Sequence, residues 1–75
     1  MATTQLDATG LKCPIPVLKA RKAVRSLSPG DTLEVLSTDP GSVPDFEAFC
    51  DTGGHELLEQ AQDGRVFRFL IRIAG

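Results

Sequence analysis

The chain has 75 residues, of which 41% are hydrophobic, and a formal net charge of −2 at neutral pH. A chain of about this size buries only roughly 60% of the surface that it exposes when unfolded, so we expect residues 1–75 to form one domain with a narrow stability margin. The sequence has no apolar run of membrane-spanning length and no charged-then-apolar leader. We therefore expect a cytoplasmic protein without membrane contact. As a separate expectation, we take it to be a monomer.

Charge is distributed unevenly along the chain. The segment from Ser26 to Gly64 holds nine of the ten acidic residues and no lysine or arginine. Five of the eight basic residues precede it, namely Lys12, Lys19, Arg21, Lys22 and Arg25. This segregation indicates either a solvated basic face or a docking surface for an acidic protein. Direct nucleic-acid binding is disfavoured, because the chain is acidic overall and no aromatic residue interleaves with the basic ones.

The first third of the chain predicts a strand followed by a helix. Residues 4–8 alternate polar and apolar side chains, as an edge strand does. A helix is predicted from Pro14 to about Leu27, with Cys13 as its N-cap. Proline inside a helix costs about 3 kcal/mol, but in the first turn it removes only an amide without an intrahelical acceptor. Pro14 and Pro16 therefore fix the helix start and hold Cys13 just outside it.

The middle of the chain predicts a second strand and a second helix. The strand is expected over residues 32–38, where apolar residues are frequent, and the turn Asp39-Pro40-Gly41 ends it. Ser42 and Asp45 have the spacing of a capping box, although Asp stands in for the usual Glu. They predict a helix that begins one residue after Ser42 and is closed by Gly53-Gly54.

The last third predicts a β-hairpin. Residues 56–62 and 65–73 flank Asp63-Gly64, a dipeptide favoured in two-residue type I′ turns. Alternation in the last strand gives one strongly apolar face that a helical layer must cover. The complete order predicts an α/β (α+β) fold, a βαβαββ two-layer sandwich with a four-stranded mixed sheet and two helices packed on one face.

Cys13 is the residue with the clearest chemical potential. A free cysteine has a pKa of about 8.5, and a helix N-terminus or a nearby cation lowers it to roughly 3.5–7.5. The dipole of the first helix and the charge of Lys12 therefore predict an exposed, partly ionised thiol. No base can be placed beside it, because the only histidine, His55, is expected in a loop or at a strand edge beyond the second helix. A lone thiolate suits a group carrier better than a stand-alone enzyme.

Cys50 is expected to be a buried, inert thiol, since it adjoins Phe49 on the apolar side of the second helix. Cys13, Cys50 and His55 are too scattered to predict a metal site. Two alternatives to a carrier stay open. One is a thiol redox protein that pairs Cys13 with Cys50, although the chain has no C-x-x-C motif. The other is a non-catalytic module that regulates a partner by binding.

An ordered set of motifs covers nearly the whole chain. They are LDATGLKCPIP at 6–16 with its C-P-x-P signature, Lys19, TDPGS at 38–42, Asp45, GHEL at 54–57 and FLIR at 69–72. This set resembles the TusA/SirA-like family of small sulfur-carrier proteins (TusA, YedF, SirA). The resemblance implies the same βαβαββ sandwich. It also implies that Cys13 accepts persulfide sulfur from a cysteine desulfurase or a rhodanese-like donor.

In the mechanism that the resemblance implies, Cys13 relays the sulfur to an acceptor protein in tRNA thiolation, cofactor sulfuration or sulfur oxidation. The covalent persulfide is the only cofactor expected. Lys12 and the helix N-terminus would stabilise the anionic sulfur, while Pro14 and Pro16 hold the geometry. Two charged surfaces are expected to dock partners: Lys19, Lys22 and Arg25 on the first helix, and Asp39 and Asp45 near the start of the second.

Overall fold

The computed structural model of the chain describes residues 3–74. Its elements are β1 (Thr3–Ala8), α1 (Ile15–Val24), β2 (Thr32–Ser37), α2 (Ser42–Gly53), β3 (Glu56–Asp63) and β4 (Val66–Arg72). The predicted βαβαββ order is confirmed. Of the predicted domain, residues 1, 2 and 75 lie outside the described part.

The four strands form one mixed sheet in the order β1-β2-β4-β3. β1 runs parallel to β2, whereas β4 is antiparallel to both of its neighbours. β1 therefore lies at an edge, as predicted. Helix α1 packs on β1 and β2, α2 packs on β3 and β4, and the helices contact each other. Both helices thus cover the same face, which confirms the two-layer sandwich.

The core lies between the helices and the two central strands. Alternation along these strands turns one face inward, so Leu33 and Val35 of β2 and Phe69 and Ile71 of β4 are fully buried. The register places Leu33 opposite Ile71 and Val35 opposite Phe69. Phe46 of α2 stacks on Phe69, with 4.7 Å between the ring centroids. This stack fixes α2 against the sheet.

Helix α1 is shorter than predicted at both ends. Its N-cap is Pro14 rather than Cys13, and Pro16 occupies the second helical position, so the predicted cap is wrong by one residue. The first helical hydrogen bond runs from the Leu18 N–H to the Pro14 carbonyl. At the other end, the N–H groups of residues 25–27 bond carbonyls only three residues back. The last predicted turn is therefore of the tighter 3₁₀ type rather than α-helical.

The predicted capping box at the start of α2 is wrong. Gly41 is the N-cap and makes no side-chain cap. The Ser42 hydroxyl is buried and pairs with the buried Ser37 hydroxyl at 2.6 Å between oxygens. The Asp45 carboxylate is bonded elsewhere, to the Cys13 thiol. Both residues of the predicted capping box therefore form tertiary hydrogen bonds instead of capping the helix.

The hairpin turn also differs from the predicted one. The strands pair as far as Asp63 and Val66, so the two loop residues are Gly64 and Arg65. Gly64 has φ of 60°, and no non-glycine residue in the described range has positive φ. Positive φ at the first loop residue only is the type II′ pattern, not type I′. The predicted stop of α2 is confirmed, because Gly54 ends it in the left-handed region with φ of 72°.

Replacing Ser42 tests the buried hydroxyl pair. Ser42→Ala removes the short hydrogen bond of the Ser37 hydroxyl and leaves it only the Asp39 N–H at 3.3 Å. We therefore expect the free energy of unfolding to fall by about 1–3 kcal/mol in urea denaturation. The double variant Ser37→Ala/Ser42→Ala should cost less than the sum of the single variants, because it leaves neither hydroxyl behind. Strictly additive losses would show that Ser42 acts independently of Ser37.

Candidate functional site

The candidate site forms where two loops meet at one end of the sheet. β1 and β2 are parallel, so their carboxyl ends lie at the same end of the sheet. The register pairs Ala8 with Ser37. The loop after β1 carries Cys13, and the loop after β2 carries Asp39 and Gly41. Residues far apart in sequence are therefore neighbours. The peptide bond between Cys13 and Pro14 is cis.

Asp39 joins the two loops through its carboxylate. One oxygen accepts the backbone N–H of Cys13, and the other accepts the Gly41 N–H at 3.1 Å. These two hydrogen bonds, with a smaller contribution from the charge of Lys12, lower the pKa of Asp39. Gly41 approaches Cys13 so closely that an added Cβ would lie 3.3 Å from the Cys13 Cβ. Cys13 is thus hydrogen-bonded through its backbone to Asp39 and lies close to Gly41.

The Cys13 thiol donates a hydrogen bond to Asp45, in the first turn of α2. This bond, together with desolvation and the negative charges of Asp45 and Asp39, raises the pKa of Cys13 to about 11. The prediction of a lowered pKa is therefore wrong. The helix N-terminus offers little compensation, because Pro14 and Pro16 have no N–H to give.

An open groove of about 990 Å³ lies between α1 and α2 and begins at the cysteine. It follows α2 from Asp45 past Phe49 to His55. Its walls are largely apolar, and Leu18 of α1 is 52% exposed there. Three cations of α1 also line it, namely Arg21, Lys22 and Arg25. A partner that reaches the thiol through this groove meets apolar surface and positive charge.

His55 lies between α2 and β3, the loop position that was predicted. Its ring rests against Phe49, with 5.2 Å between the centroids, and its Nδ1 accepts the Ala74 N–H at 3.0 Å. Cys50 is buried in α2 with 5% exposure, as predicted, and burial raises the pKa of its thiol. Both cysteines are free thiols.

Comparison with known proteins identifies the family. The family model described as Sulfurtransferase TusA matches residues 4–73. The chain belongs to the TusA family. It is 50% identical over 68 residues to the sulfur carrier protein TusA of Allochromatium vinosum, a match that covers 91% of this chain and 90% of that one.

Two further relatives of this TusA-family chain support the same conclusion. A provisionally named sulfur carrier protein of Neisseria meningitidis serogroup A is 47% identical over 72 residues, which cover 96% of this chain and 97% of the relative. The crystal structure of a SirA-like protein from Desulfitobacterium hafniense superposes with a TM-score of 0.81 at 30% identity, with 100% of both chains covered. The fold and the family therefore agree.

The structure brings together only part of the predicted docking surface of this TusA-family chain. Lys22 and Arg25 line the groove, whereas Lys19 is not among the lining residues. Arg21 lines it and was absent from the predicted set. The spacing of Leu18, Arg21, Lys22 and Arg25 at i, i+3, i+4 and i+7 marks one helix face and could have identified it.

The two predicted acidic docking residues, Asp39 and Asp45, contact Cys13 itself. Sequence reasoning missed these contacts. Between residues 3 and 74, no group of three or more histidine, cysteine or acidic side chains could hold a metal ion. Neither helix of this part of the chain is long and apolar enough to cross a membrane.

The pH dependence of thiol alkylation tests the environment of Cys13. In a Cys50→Ala background, the rate with iodoacetamide should climb about tenfold per pH unit, because only the thiolate reacts. It should level off near the Cys13 pKa of about 11. Alkylated protein is quantified by intact-mass spectrometry, and circular dichroism at each pH verifies the fold. A plateau below about pH 8.5 would instead indicate a thiol activated by the helix.

Proposed function

We propose that this chain is a sulfur carrier that holds sulfane sulfur as a persulfide on Cys13. The observation that carries the proposal is the exposed Cys13 thiol, which is fixed by its backbone at the mouth of the groove between the helices. Membership of the TusA family supports it. The donor is a cysteine desulfurase or a rhodanese-like protein. The acceptor is a second protein, in tRNA thiolation, cofactor sulfuration or sulfur oxidation.

The proposed transfer needs no external oxidant. The Cys13 sulfur attacks the outer sulfur of the donor persulfide, a new S–S bond forms, and the donor's own S–S bond breaks. The donor cysteine leaves as a thiolate and takes up the proton that Cys13 gives up. Lys12 precedes Cys13 and is proposed to stabilise the terminal anionic sulfur. Pro14 and Pro16 fix the start of α1, so that Cys13 stays in the loop.

The groove is the proposed docking surface. Partner proteins with an acidic patch would match Lys22 and Arg25, together with Arg21, while an apolar side chain could cover Leu18. Lys19 is also proposed to contact the partner, at the margin of the groove. Asp39 and Asp45 belong to the same surface, because both lie beside the thiol that a partner must reach.

Burial of Cys50 argues against the redox alternative. A disulfide with Cys13 would require a core residue, 5% exposed, to reach an exposed loop. Among the contacts of residues 3–74, none favours the purely regulatory module over the carrier.

Sulfur loading tests the proposed function directly. After incubation with a cysteine desulfurase and cysteine, intact-mass spectrometry should show one added sulfur atom that a reductant removes. Cys13→Ser should abolish the gain because the accepting thiol is gone, and Cys50→Ala should retain it. A rhodanese with thiosulfate is the second donor. Loading that disappears in Cys50→Ala, or occurs equally in Cys13→Ser, would contradict the proposed site.

Charge reversal tests the docking surface. Lys22→Glu/Arg25→Glu should slow loading at subsaturating carrier about tenfold, since charges at an interface rim mainly set the association rate. The loss should shrink at high salt because screening weakens the attraction. Single reversals change the charge equally, and of these Lys22→Glu should slow loading more than Lys19→Glu, because Lys22 lines the groove and Lys19 does not. Equal effects of the two changes would mean that the groove is not the docking surface.

A further inference from the structure

We propose that Asp45 is a latch on Cys13. In the free protein it holds the thiol in its protonated, unreactive form, and a cationic side chain of the sulfur donor pairs with Asp45 in the complex and releases the thiol. This inference rests on the proposed function, because it concerns the moment at which sulfur is transferred. It adds a feature of the partner: a lysine or arginine close to the sulfur that it delivers.

The carboxylates of Asp39 and Asp45 make different contacts with Cys13. Asp39 uses both oxygens on backbone N–H groups, those of Cys13 and Gly41, so it is committed to holding the loops. Asp45 bonds the reacting atom itself, the Cys13 sulfur. A group that contacts only the thiol can leave it without loosening the backbone. Asp45 is therefore the carboxylate suited to a reversible contact.

The Asp45 carboxylate contacts the thiol but makes no ion pair within the described residues. Three acidic residues do make one: Glu34 and Glu59 pair with Arg68, and Glu56 pairs with Arg72. Within residues 3–74, no lysine or arginine lies at ion-pair distance from Asp45. An unpaired carboxylate beside an open groove is available to a cation from outside.

The charged groups around the thiol come from four segments: the loop after β1, helix α1, the loop after β2 and helix α2. Asp39 from the loop after β2 and Asp45 from α2 both disfavour the thiolate. Lys12, beside Cys13 in sequence, acts on Asp39. The groove cations of α1, Arg21, Lys22 and Arg25, face the same space without pairing with Asp45. Neutralising Asp45 thus removes the group that opposes ionisation of Cys13 most strongly.

Pairing of a donor cation with Asp45 changes the reaction in a defined way. The ion pair satisfies the carboxylate, so the thiol loses its acceptor and the repulsion on the thiolate falls. The Cys13 sulfur then attacks the outer sulfur of the donor persulfide. One S–S bond forms as another breaks, and the departing donor thiolate takes the proton. Sulfane sulfur changes carrier, and no net oxidation occurs.

The first arm of the test uses the free protein and iodoacetamide, in a Cys50→Ala background near neutral pH. Asp45→Asn keeps the shape of the side chain but removes its charge. If the thiol pKa falls by about two units, the thiolate fraction rises about a hundredfold and its nucleophilicity falls about tenfold, which leaves roughly tenfold faster alkylation. Asp45→Glu should stay slow because it restores the carboxylate. Asp51→Asn, on the same helix, is the matched control and should match the parent protein.

The second arm measures loading of the same variants by a cysteine desulfurase and by a rhodanese. Asp45→Asn should load no faster than the parent protein, and we expect kcat/KM to fall about tenfold, because the donor cation has lost its ion-pair partner. Opposite effects in the two arms distinguish the latch from a merely structural role, which would change both rates in the same direction. Circular dichroism and thermal unfolding verify that the variant is folded.

Each part of the proposal has its own contrary result. Unchanged or slower alkylation of Asp45→Asn would overturn the latch. Equal acceleration of alkylation and of loading would overturn the role of the donor cation, since Asp45 would then only suppress the thiol. Failure of both donors to load the parent protein would overturn the proposed function. The proposed pairing of a donor cation with Asp45 would be overturned with it. The alkylation rates would still decide whether Asp45 restrains Cys13.

Discussion

The hydrogen bond from the Cys13 backbone to the Asp39 carboxylate is the contact on which the rest of the site depends. It ties the loop after β1 to the loop after β2, and a second link, from the Gly10 N–H to the Thr38 hydroxyl at 2.9 Å, lies nearby. Both links follow from parallel pairing, which brings the ends of β1 and β2 to one edge of the sheet. Sheet register thus decides where an exposed thiol is held.

The chemistry of that thiol is decided by a competition between opposite electrostatic effects. A helix N-terminus stabilises a nearby anion and so favours the thiolate. The hydrogen bond from the Cys13 thiol to Asp45 acts in the opposite direction and is the largest effect on the pKa of Cys13. The first turn of α1 is also short of one amide, because Pro16 occupies its second position. The carboxylate has the larger effect, so the pKa of Cys13 rises instead of falling.

The same competition explains what the sequence alone could and could not predict. Period-2 alternation and the glycine stops are local signals, so the order of elements, the edge position of β1 and the burial of Cys50 were predicted correctly. The capping box of Ser42 and Asp45 is also a local signal, but its two members found partners in Ser37 and Cys13. Those partners become neighbours only after the sheet forms. Site electrostatics is therefore a tertiary property that local patterns do not contain.

In the proposed carrier, the raised pKa of the Cys13 thiol has two consequences. Before loading, few thiolates form, so small oxidants and electrophiles find little to attack. After loading, the inner sulfur of the persulfide has no proton to donate to Asp45, but the negative charges of Asp45 and Asp39 still oppose the Cys13 thiolate that departs when an acceptor attacks the outer sulfur. A poorly stabilised thiolate leaves slowly, so the sulfur is retained longer. In the proposed mechanism the charge of Asp45 thereby slows both acceptance and release, and a partner cation that pairs with this carboxylate would speed both.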